Sequence, residues 1–202
     1  MIGVQSPMIP RVWQAFRTIV LETLLPAWLI VTFVAMPVTV DGDSMLPGIE
    51  TSDVLLVLKL ERWLDAWGIR QNYINRGDVI VLKPDDWRSS AFVPFVGETF
   101  GWKFQPYFVK RAIALEKDSL EIDAGDVIVN ESKLAEAYIK GPATVENEPP
   151  LEIPTRNVYV LGDNRLIGES IDSRRFGPQP LSRVAGRVVL RLWPLWKFGP
   201  VR

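Results

Sequence analysis

The sequence predicts a mostly β protein, in which a coiled antiparallel β-sheet domain follows a single N-terminal transmembrane α-helix. The helix is predicted by an apolar run from Ile19 to Val40, which at about 1.5 Å rise per residue spans roughly the 30 Å of a bilayer's hydrocarbon core. The sheet is predicted by short β-like runs beyond Val40, separated by Gly, Pro, Asp and Asn. Their irregular spacing favours antiparallel strands over alternating βαβ units.

The charges that flank the apolar run predict its orientation. Arg11 and Arg17 precede the run, Asp41 and Asp43 follow it, and Glu22 lies near its N-terminal end, within reach of the headgroups. Because basic residues favour the cytoplasmic side of a membrane, the N-terminus is expected in the cytoplasm and the rest of the chain outside.

Three segments follow from this topology: a cytoplasmic segment 1–18, a transmembrane anchor 19–40 and an extracytoplasmic domain 41–202 of the 202-residue chain. The main alternative is a cleaved signal peptide with Ala35 near the cut. The apolar core of a signal peptide usually has only about 7–15 residues, so the length of this run favours an anchor.

The β-like runs of the domain are short and rich in Val, Ile and Leu. They are Val54–Leu58, Val79–Leu82, Phe108–Leu115, Leu120–Ile122, Val127–Val129, Val158–Leu161 and Val184–Leu192. Two other stretches interrupt them: Leu60–Tyr73 has helical spacing of its apolar residues, and Pro84–Gln105 is rich in aromatic residues without clean periodicity. Both stretches fit either a small core under a loop or an aromatic rim at the lipid interface.

Composition excludes several kinds of chemistry. The formal net charge of −1 gives no reason to expect binding of nucleic acid, which requires a basic patch. The chain has no histidine and no cysteine. A Ser-His-Asp triad, a catalytic thiol, a His-ligated metal and a disulfide framework are therefore excluded. A nucleophilic serine in this chain would need a lysine or a carboxylate as its base.

Ser44 and Lys110 are the candidates for that pair. Ser44 comes a few residues after the apolar run, which would place it at the bilayer surface. Lys110 lies within the predicted strand Phe108–Leu115, where alternation puts it on one face with Phe108, Ala112 and Ala114. Burial among such neighbours would lower the pKa of the lysine from its ordinary value of about 10.4.

Each candidate also has an ordinary structural interpretation. Ser44 could be a turn residue or a helix N-cap, and Lys110 could be a strand lysine that extends to solvent. Arg111, on the opposite face of the strand, would need an acidic partner, for which Asp163 is the candidate.

Four segments, in order along the domain, together resemble the type I signal peptidase (leader peptidase) family. The segment 42–47 (GDSMLP) resembles the nucleophile box, 76–81 (RGDVIV) the strand box that follows it, and 108–113 (FVKRAI) the general-base box. The last box is resembled by 162–165 (GDNR) together with 170–174 (SIDSR). Two features differ from the usual pattern. Gly42 stands where some branches carry a serine that assists the oxyanion hole, and the spacing before Ser170 is two residues longer.

The resemblance implies a Ser/Lys-dyad serine endopeptidase, a hydrolase that removes N-terminal signal peptides from exported preproteins and cuts after small residues. It implies that Ser44 attacks and that Lys110 acts as general base, then as general acid. Ser170 would hydrogen-bond to the lysine amine. The supporting residues, which would hold strands and loop by charge pairing, are Asp163, Asp172, Arg174 and Arg111.

The resemblance also implies where the protein works and with what. It needs no cofactor and no metal, and it resides in the cell (plasma) membrane as a single-pass protein of protein secretion. Its partners would be the signal peptides of secretory preproteins and the lipid bilayer, with the export translocon as a further candidate. The alternative function is a non-catalytic, membrane-tethered pseudo-peptidase that binds extended peptides. A soluble Ser/Lys autoprotease, akin to self-cleaving repressors, is disfavoured by the apolar run.

Overall fold

The N-terminal part of the protein is one long helical stretch. The computed structural model describes residues 9–70, 73–83, 107–139 and 147–201, so the aromatic stretch Pro84–Gln105 lies outside the described residues. The stretch consists of α1 (Ile9–Thr18), a π-helical turn (Ile19–Leu24), α2 (Leu25–Leu29) and a second π-helical turn (Ile30–Val34). Its portion Val12–Val34, 23 residues with a mean hydropathy of 1.6, is long and apolar enough to cross a membrane. The predicted N-terminal apolar helix is therefore confirmed.

The end of this helix differs from the prediction. Helix was expected as far as Val40, but the helical stretch ends at Val34 and residues Ala35–Thr39 form strand β1. Hydrophobicity alone cannot distinguish the end of a spanning helix from a buried strand that follows it. Pro37, which lacks an amide hydrogen, disfavours helix here, and pairing of β1 with the next strand satisfies the backbone instead.

The rest of the described chain is mostly β-strand. The strands are β1 (Ala35–Thr39), β2 (Val54–Leu58), β3 (Val79–Leu82), β4 (Phe108–Leu115), β5 (Ser119–Asp123), β6 (Asp126–Val129), β7 (Ser132–Lys133), β8 (Glu148–Glu152), β9 (Asn157–Leu161), β10 (Gln179–Pro180), β11 (Val184–Trp193) and β12 (Gly199–Pro200). Two short helices, α3 (Leu60–Ala66) and α4 (Ser173–Phe176), and two 3₁₀ turns (Leu181–Arg183 and Leu195–Lys197) complete the described elements.

These strands form two antiparallel sheets. The larger sheet has the order β1-β2-β11-β3-β4-β9-β10, with β12 paired to β11, and the smaller sheet has the order β7-β6-β5-β8. Every described strand pair is antiparallel. The predicted fold class, a coiled antiparallel β-sheet domain behind an N-terminal helix, is confirmed.

Helix α3 joins the domain to the end of the N-terminal helix. The stretch Leu60–Tyr73 shows helical spacing of its apolar residues, and α3 forms its first part, ending at Ala66. The Lys59 amide donates to the carbonyl of Val34 at 2.7 Å. The Lys59 side chain donates to the carbonyl of Val31 at 3.0 Å. These carbonyls belong to the last turn of the helical stretch, where intrahelical donors run out.

Strand β4 lies in the middle of the larger sheet, between β3 and β9, and contributes to all three hydrophobic clusters of the domain. Val109 packs in the first cluster, Ala112 in the third, and Ile113 and Ala114 in the second. A register shift between Ala112 and Ala114 accompanies this change, as expected of a β-bulge. The prediction that Lys110, Ala112 and Ala114 share one face is therefore wrong beyond Ala112.

Candidate active site

The side chains of Ser44 and Lys110 meet inside the domain. The Lys110 Nζ lies 2.6 Å from the Ser44 Oγ, although 66 positions separate them in the sequence. Lys110 is held in the central strand β4, opposite Ile80 of β3, and only 3% of the residue is exposed. The two groups that the sequence singled out are thus in direct hydrogen-bond contact.

Burial changes the chemistry of the Lys110 amine. Loss of water around the amine lowers the pKa of Lys110 from 10.5 to about 8, because an apolar environment disfavours the ammonium form. The carboxylates of Asp172 and Asp163 oppose this lowering and the guanidinium of Arg174 adds to it. Near neutral pH a substantial minority of molecules, about a tenth at pH 7, would therefore carry a neutral amine that can accept a proton.

The segment that carries Ser44 is anchored from two sides. Met45 and Ile49 are each 1% exposed and pack in the first hydrophobic cluster. From the other side, Asn164 donates its backbone amide to the carbonyl of Ser44 at 3.1 Å and its side-chain amide to the carbonyl of Asp43 at 3.1 Å. The nucleophile candidate therefore sits on a backbone held by both packing and hydrogen bonds.

The turn before Ser44 requires a glycine. Gly42 has a φ of +96°, a conformation that other residues adopt only with strain. Its amide donates to the Thr51 Oγ1 at 3.2 Å, and that hydroxyl donates to Asp43 at 3.2 Å. The turn thereby leads the chain from β1 to Ser44.

Arg111 and Asp163 form a buried ion pair beside the contact between Ser44 and Lys110. Arg111 Nε lies 2.8 Å from Asp163 Oδ1 and Nη2 lies 2.6 Å from Oδ2, and the two side chains are 3% and 0% exposed. Burial raises the pKa of Asp163, while the guanidinium of Arg111 opposes that rise. The predicted pairing of these two residues is confirmed.

Asp172 and Arg174 form a second pair. Arg174 donates from Nε and Nη2 to the two Asp172 oxygens, both at 2.9 Å, and the Gly162 amide donates to Oδ2 at 2.9 Å. Burial alone would raise the pKa of Asp172, but Arg174 and the Gly162 amide hold it below its usual value. Asp172 also caps α4 by accepting from the Arg174 amide.

Ser170 lies in the site without the contact expected of it. Its Oγ packs so closely against Gly162 that a Cβ there would come within 2.3 Å of it. The hydroxyl is also near enough to Asp172 to help lower the pKa of that carboxyl. However, the buried Ser170 Oγ has no hydrogen-bond partner among the residues that the structure describes, and Lys110 is one of these residues. The amine of Lys110 is directed at Ser44 instead.

The sequence analysis missed two residues that act on this site. Asn164, in the loop 162–165, binds the backbone of Ser44. Glu136 lies outside this loop and forms an ion pair with its last residue, Arg165. The segment 162–165 did point to the loop, but the interaction of its Asn and Arg with distant parts of the chain has no local signal. Among the described residues, no group of three or more acidic side chains is placed to hold a metal ion.

The structure brings a serine hydroxyl into contact with a buried lysine amine, in a β-sheet domain that follows an N-terminal apolar helix. Comparison with known proteins shows which class of protein this is. Residues 12–193 match the family model "Signal peptidase, peptidase S26", so the chain belongs to this signal peptidase family and is a serine peptidase.

Two relatives agree with this family. The chain is 33% identical to a signal peptidase I of Leptolyngbya laminosa, over 92% of this chain and 82% of the relative. It is 31% identical to a probable signal peptidase I-1 of Synechocystis sp., over 96% of this chain and 91% of the relative. A crystal structure of a signal peptidase I from Enterococcus faecalis is similar with a TM-score of 0.41 and 23% identity, covering 57% of this chain and 97% of that one.

Gly162→Ala is expected to abolish most of the peptidase activity. The added Cβ would lie 2.3 Å from the Ser170 Oγ and 2.4 Å from the Ser44 carbonyl oxygen, so the Ser44 backbone must move. A displacement of about 1 Å can cost on the order of 100-fold in rate. Gly48→Ala is the matched control, because its Cβ would meet no atom closer than 3.8 Å. Initial cleavage rates of both folded variants test this; equal rates would contradict it.

Proposed function

We propose that this chain removes N-terminal signal peptides from exported preproteins with a dyad of Ser44 and Lys110. The observation that carries the proposal is the 2.6 Å contact between the Lys110 amine and the Ser44 hydroxyl. It occurs in a chain that has no histidine. The lowered pKa of Lys110 supports it, because only a neutral amine can act as a base.

In the first step, the Ser44 Oγ attacks the carbonyl carbon of the scissile bond while its proton passes to the neutral amine of Lys110. The attack gives a tetrahedral intermediate whose oxyanion needs hydrogen-bond donors. Among the described residues, none accepts a hydrogen bond from the Ser44 amide. We assign that amide as a donor to the oxyanion, since Gly42 offers no hydroxyl.

In the second step, the intermediate collapses and the C–N bond breaks. Lys110, now an ammonium, gives its proton to the leaving amine, which is the new N-terminus of the mature protein. Water then attacks the ester on Ser44 while Lys110 accepts one of its protons, and the C–O bond to Ser44 breaks as Lys110 returns that proton to the Ser44 oxygen. The signal peptide leaves with a free carboxyl group, which loses its proton to solvent. The same amine thus serves as base and acid in each of the two halves of the reaction, and both residues return to their starting state.

The other residues would support this chemistry without touching the scissile bond. Arg111 pairs with Asp163, and Arg174 pairs with Asp172, so the strand that carries Lys110 and the loop that holds Ser44 stay in register. Ser170 lies against Gly162 beside the Ser44 backbone. A rotation of its side chain would be needed to bring its hydroxyl to the amine.

We further propose that the substrate binds extended beside a strand edge, with shallow pockets for small side chains at the first and third positions before the cut. We place the helix Val12–Val34 across the plasma membrane, the residues before it in the cytoplasm and the domain outside. The domain would then begin at Ala35, the first residue of β1. The lipid bilayer and the export translocon are the proposed neighbours.

Ser44→Ala is expected to abolish cleavage of a preprotein whose signal peptide ends in Ala-x-Ala, while leaving the fold intact.

Lys110→Arg is expected to be equally inactive, because a guanidinium does not lose its proton in proteins. Both are measured as cleavage by the full chain in detergent, with circular dichroism as the control for folding. Cleavage by Ser44→Ala would remove Ser44 from the mechanism. Inactivity of the wild type toward several such preproteins would favour the non-catalytic peptide binder.

The cleavage rate is expected to rise with pH, with a midpoint near 8. Burial lowers the pKa of Lys110 from 10.5 to about 8, so the ammonium dominates below that pH and the neutral base dominates above it. The log of kcat/KM, measured from pH 6 to 9.5, should increase by about one per pH unit at the acidic end. A profile that is flat across this range would argue against Lys110 as the base.

A protease added outside intact spheroplasts is expected to digest the domain after Val34. This follows from Arg11 and Arg17, which precede the apolar run that begins at Ile19, and from the acidic residues Asp41 and Asp43 after it. The readout is a tag at the C-terminus, with a cytoplasmic protein as the control for intact membranes. A domain that is digested only after lysis would reverse the proposed orientation.

A further inference from the structure

A segment outside the two candidate catalytic residues contacts the loop 162–165, which holds Ser44, at Arg165 and also contacts Arg111, the partner of Asp163. This segment, residues 134–139 and here named the clamp, follows strand β7 of the smaller sheet. Leu134 donates its amide to the carbonyl of Val127 at 2.8 Å and packs against the second hydrophobic cluster, which attaches the clamp to the smaller sheet. Within the clamp, the Ile139 amide donates to the Glu136 carbonyl at 3.1 Å.

The first contact of the clamp is a buried ion pair. Glu136 accepts from both terminal nitrogens of Arg165, with Nη1 at 3.0 Å from Oε2 and Nη2 against Oε1. The side chains are 10% and 4% exposed. Arg165 also donates from Nε to the carbonyl of Gly162 at 2.9 Å. This guanidinium therefore joins the clamp to the backbone on which Asn164 is carried.

The second contact is between an aromatic ring and a cation. The ring of Tyr138 lies over the guanidinium of Arg111, with 3.9 Å from its centroid to Cζ, at the geometry of a cation–π interaction. Its hydroxyl donates to Glu136 Oε1 at 2.7 Å. Burial, and the neighbouring charge of Glu136, raise the pKa of Tyr138, so the phenol stays protonated. Arg111 in turn holds Asp163.

Asp163, Asn164 and Arg165 are consecutive. The clamp contacts Arg165 directly through Glu136, and it contacts Asp163 indirectly, because Tyr138 packs on the Arg111 that pairs with Asp163. The middle residue, Asn164, is the one that binds the carbonyls of Asp43 and Ser44. Removal of one member of a buried ion pair weakens the hold on the other member, and the change draws in water or moves the backbone. A change at Glu136 should therefore be felt at Ser44 through Arg165 and Asn164.

We propose that Glu136 and Tyr138 are positioning residues, which hold the loop 162–165 where Asn164 keeps Ser44 against Lys110. The smaller sheet would then influence the cleavage rate indirectly, because it carries the clamp that positions this loop. The proposal rests on the function proposed above, that is, on cleavage by Ser44 and Lys110.

The test compares pH profiles of preprotein cleavage by the full chain in detergent. Glu136→Gln keeps the shape of the side chain and removes its charge. If the clamp positions Ser44, the variant loses on the order of tenfold in kcat with little change in KM. Its pH midpoint also moves upward from about 8 toward the ordinary lysine value, because a loosened site admits water to the amine.

Lys133→Gln is the matched control. It breaks the ion pair of Lys133 with Asp126 on the same small sheet, where the side chains are 67% and 49% exposed, and should leave both kcat and the midpoint unchanged. Tyr138→Leu serves as a second variant should Glu136→Gln fail to fold, and it should shift the midpoint in the same direction. Folding is followed by circular dichroism.

The outcomes separate positioning from plain stability. A lower rate with an unchanged midpoint would mean that fewer molecules are folded, and it would overturn the proposal. A wild-type rate and midpoint in Glu136→Gln would overturn it as well. Cleavage by wild type but not by Ser44→Ala shows that such a failure belongs to the clamp alone, whereas activity of Ser44→Ala would overturn the proposed function and the clamp's role with it.

Discussion

The contact between a buried amine and a serine hydroxyl is the interaction on which the rest of the site depends. A lysine can take a proton from a hydroxyl only when it is neutral itself, and burial lowers the pKa of Lys110 far enough for a minority of molecules to carry the neutral amine near neutral pH. Lowering the pKa from 10.5 to about 8 costs the fold on the order of 3 kcal/mol. That is a large share of the 5–15 kcal/mol or so by which a domain is usually stable. The central position of β4 between β3 and β9 is what makes the burial possible.

The ion pairs Arg111–Asp163 and Arg174–Asp172 help to keep the pKa of Lys110 low. Asp163 and Asp172 both act to raise the pKa of Lys110, so bare carboxylates at these positions would keep the amine charged. Each carboxylate is instead held by a guanidinium, Asp163 by Arg111 and Asp172 by Arg174. The pairs reduce the field of the carboxylates at the amine as well as holding the loop. A single argument about charge thus accounts for three buried ionisable side chains and the half-buried Arg174 around one lysine.

Local patterns predicted the fold and the central pair of the site well. The runs at Val54–Leu58, Val79–Leu82 and Phe108–Leu115 are strands with those bounds, because each is short, rich in branched residues and bounded by turn signals. Strand β8 (Glu148–Glu152) was not predicted, since it contains two prolines; it lies at the edge of the smaller sheet, where proline is tolerated.

The remaining differences come from contacts between distant parts of the chain. Residues 35–39 extended the apolar run, and only their pairing with β2 shows them to be a strand. The alternation along β4 held as far as Ala112 and was then shifted by a bulge. Ser170 lies against Gly162, and the orientation of its hydroxyl depends on that packing, which the sequence does not show. Glu136 reaches Arg165 across 29 positions, a pairing that no local motif encodes.

The junction between the N-terminal helix and the sheet sets the mechanical character of the molecule. The helix ends at Val34 and β1 begins at Ala35. Lys59, which follows β2, donates hydrogen bonds to the carbonyls of Val31 and Val34 in the last turn of the helix. The two hydrogen bonds hold the end of the β1–β2 hairpin against the last turn of the helix. With the helix seated in a bilayer, these bonds would limit how far Ser44 can move from the lipid surface. The depth at which an extended peptide emerges, as well as its sequence, would then decide whether the hydroxyl can reach its bond.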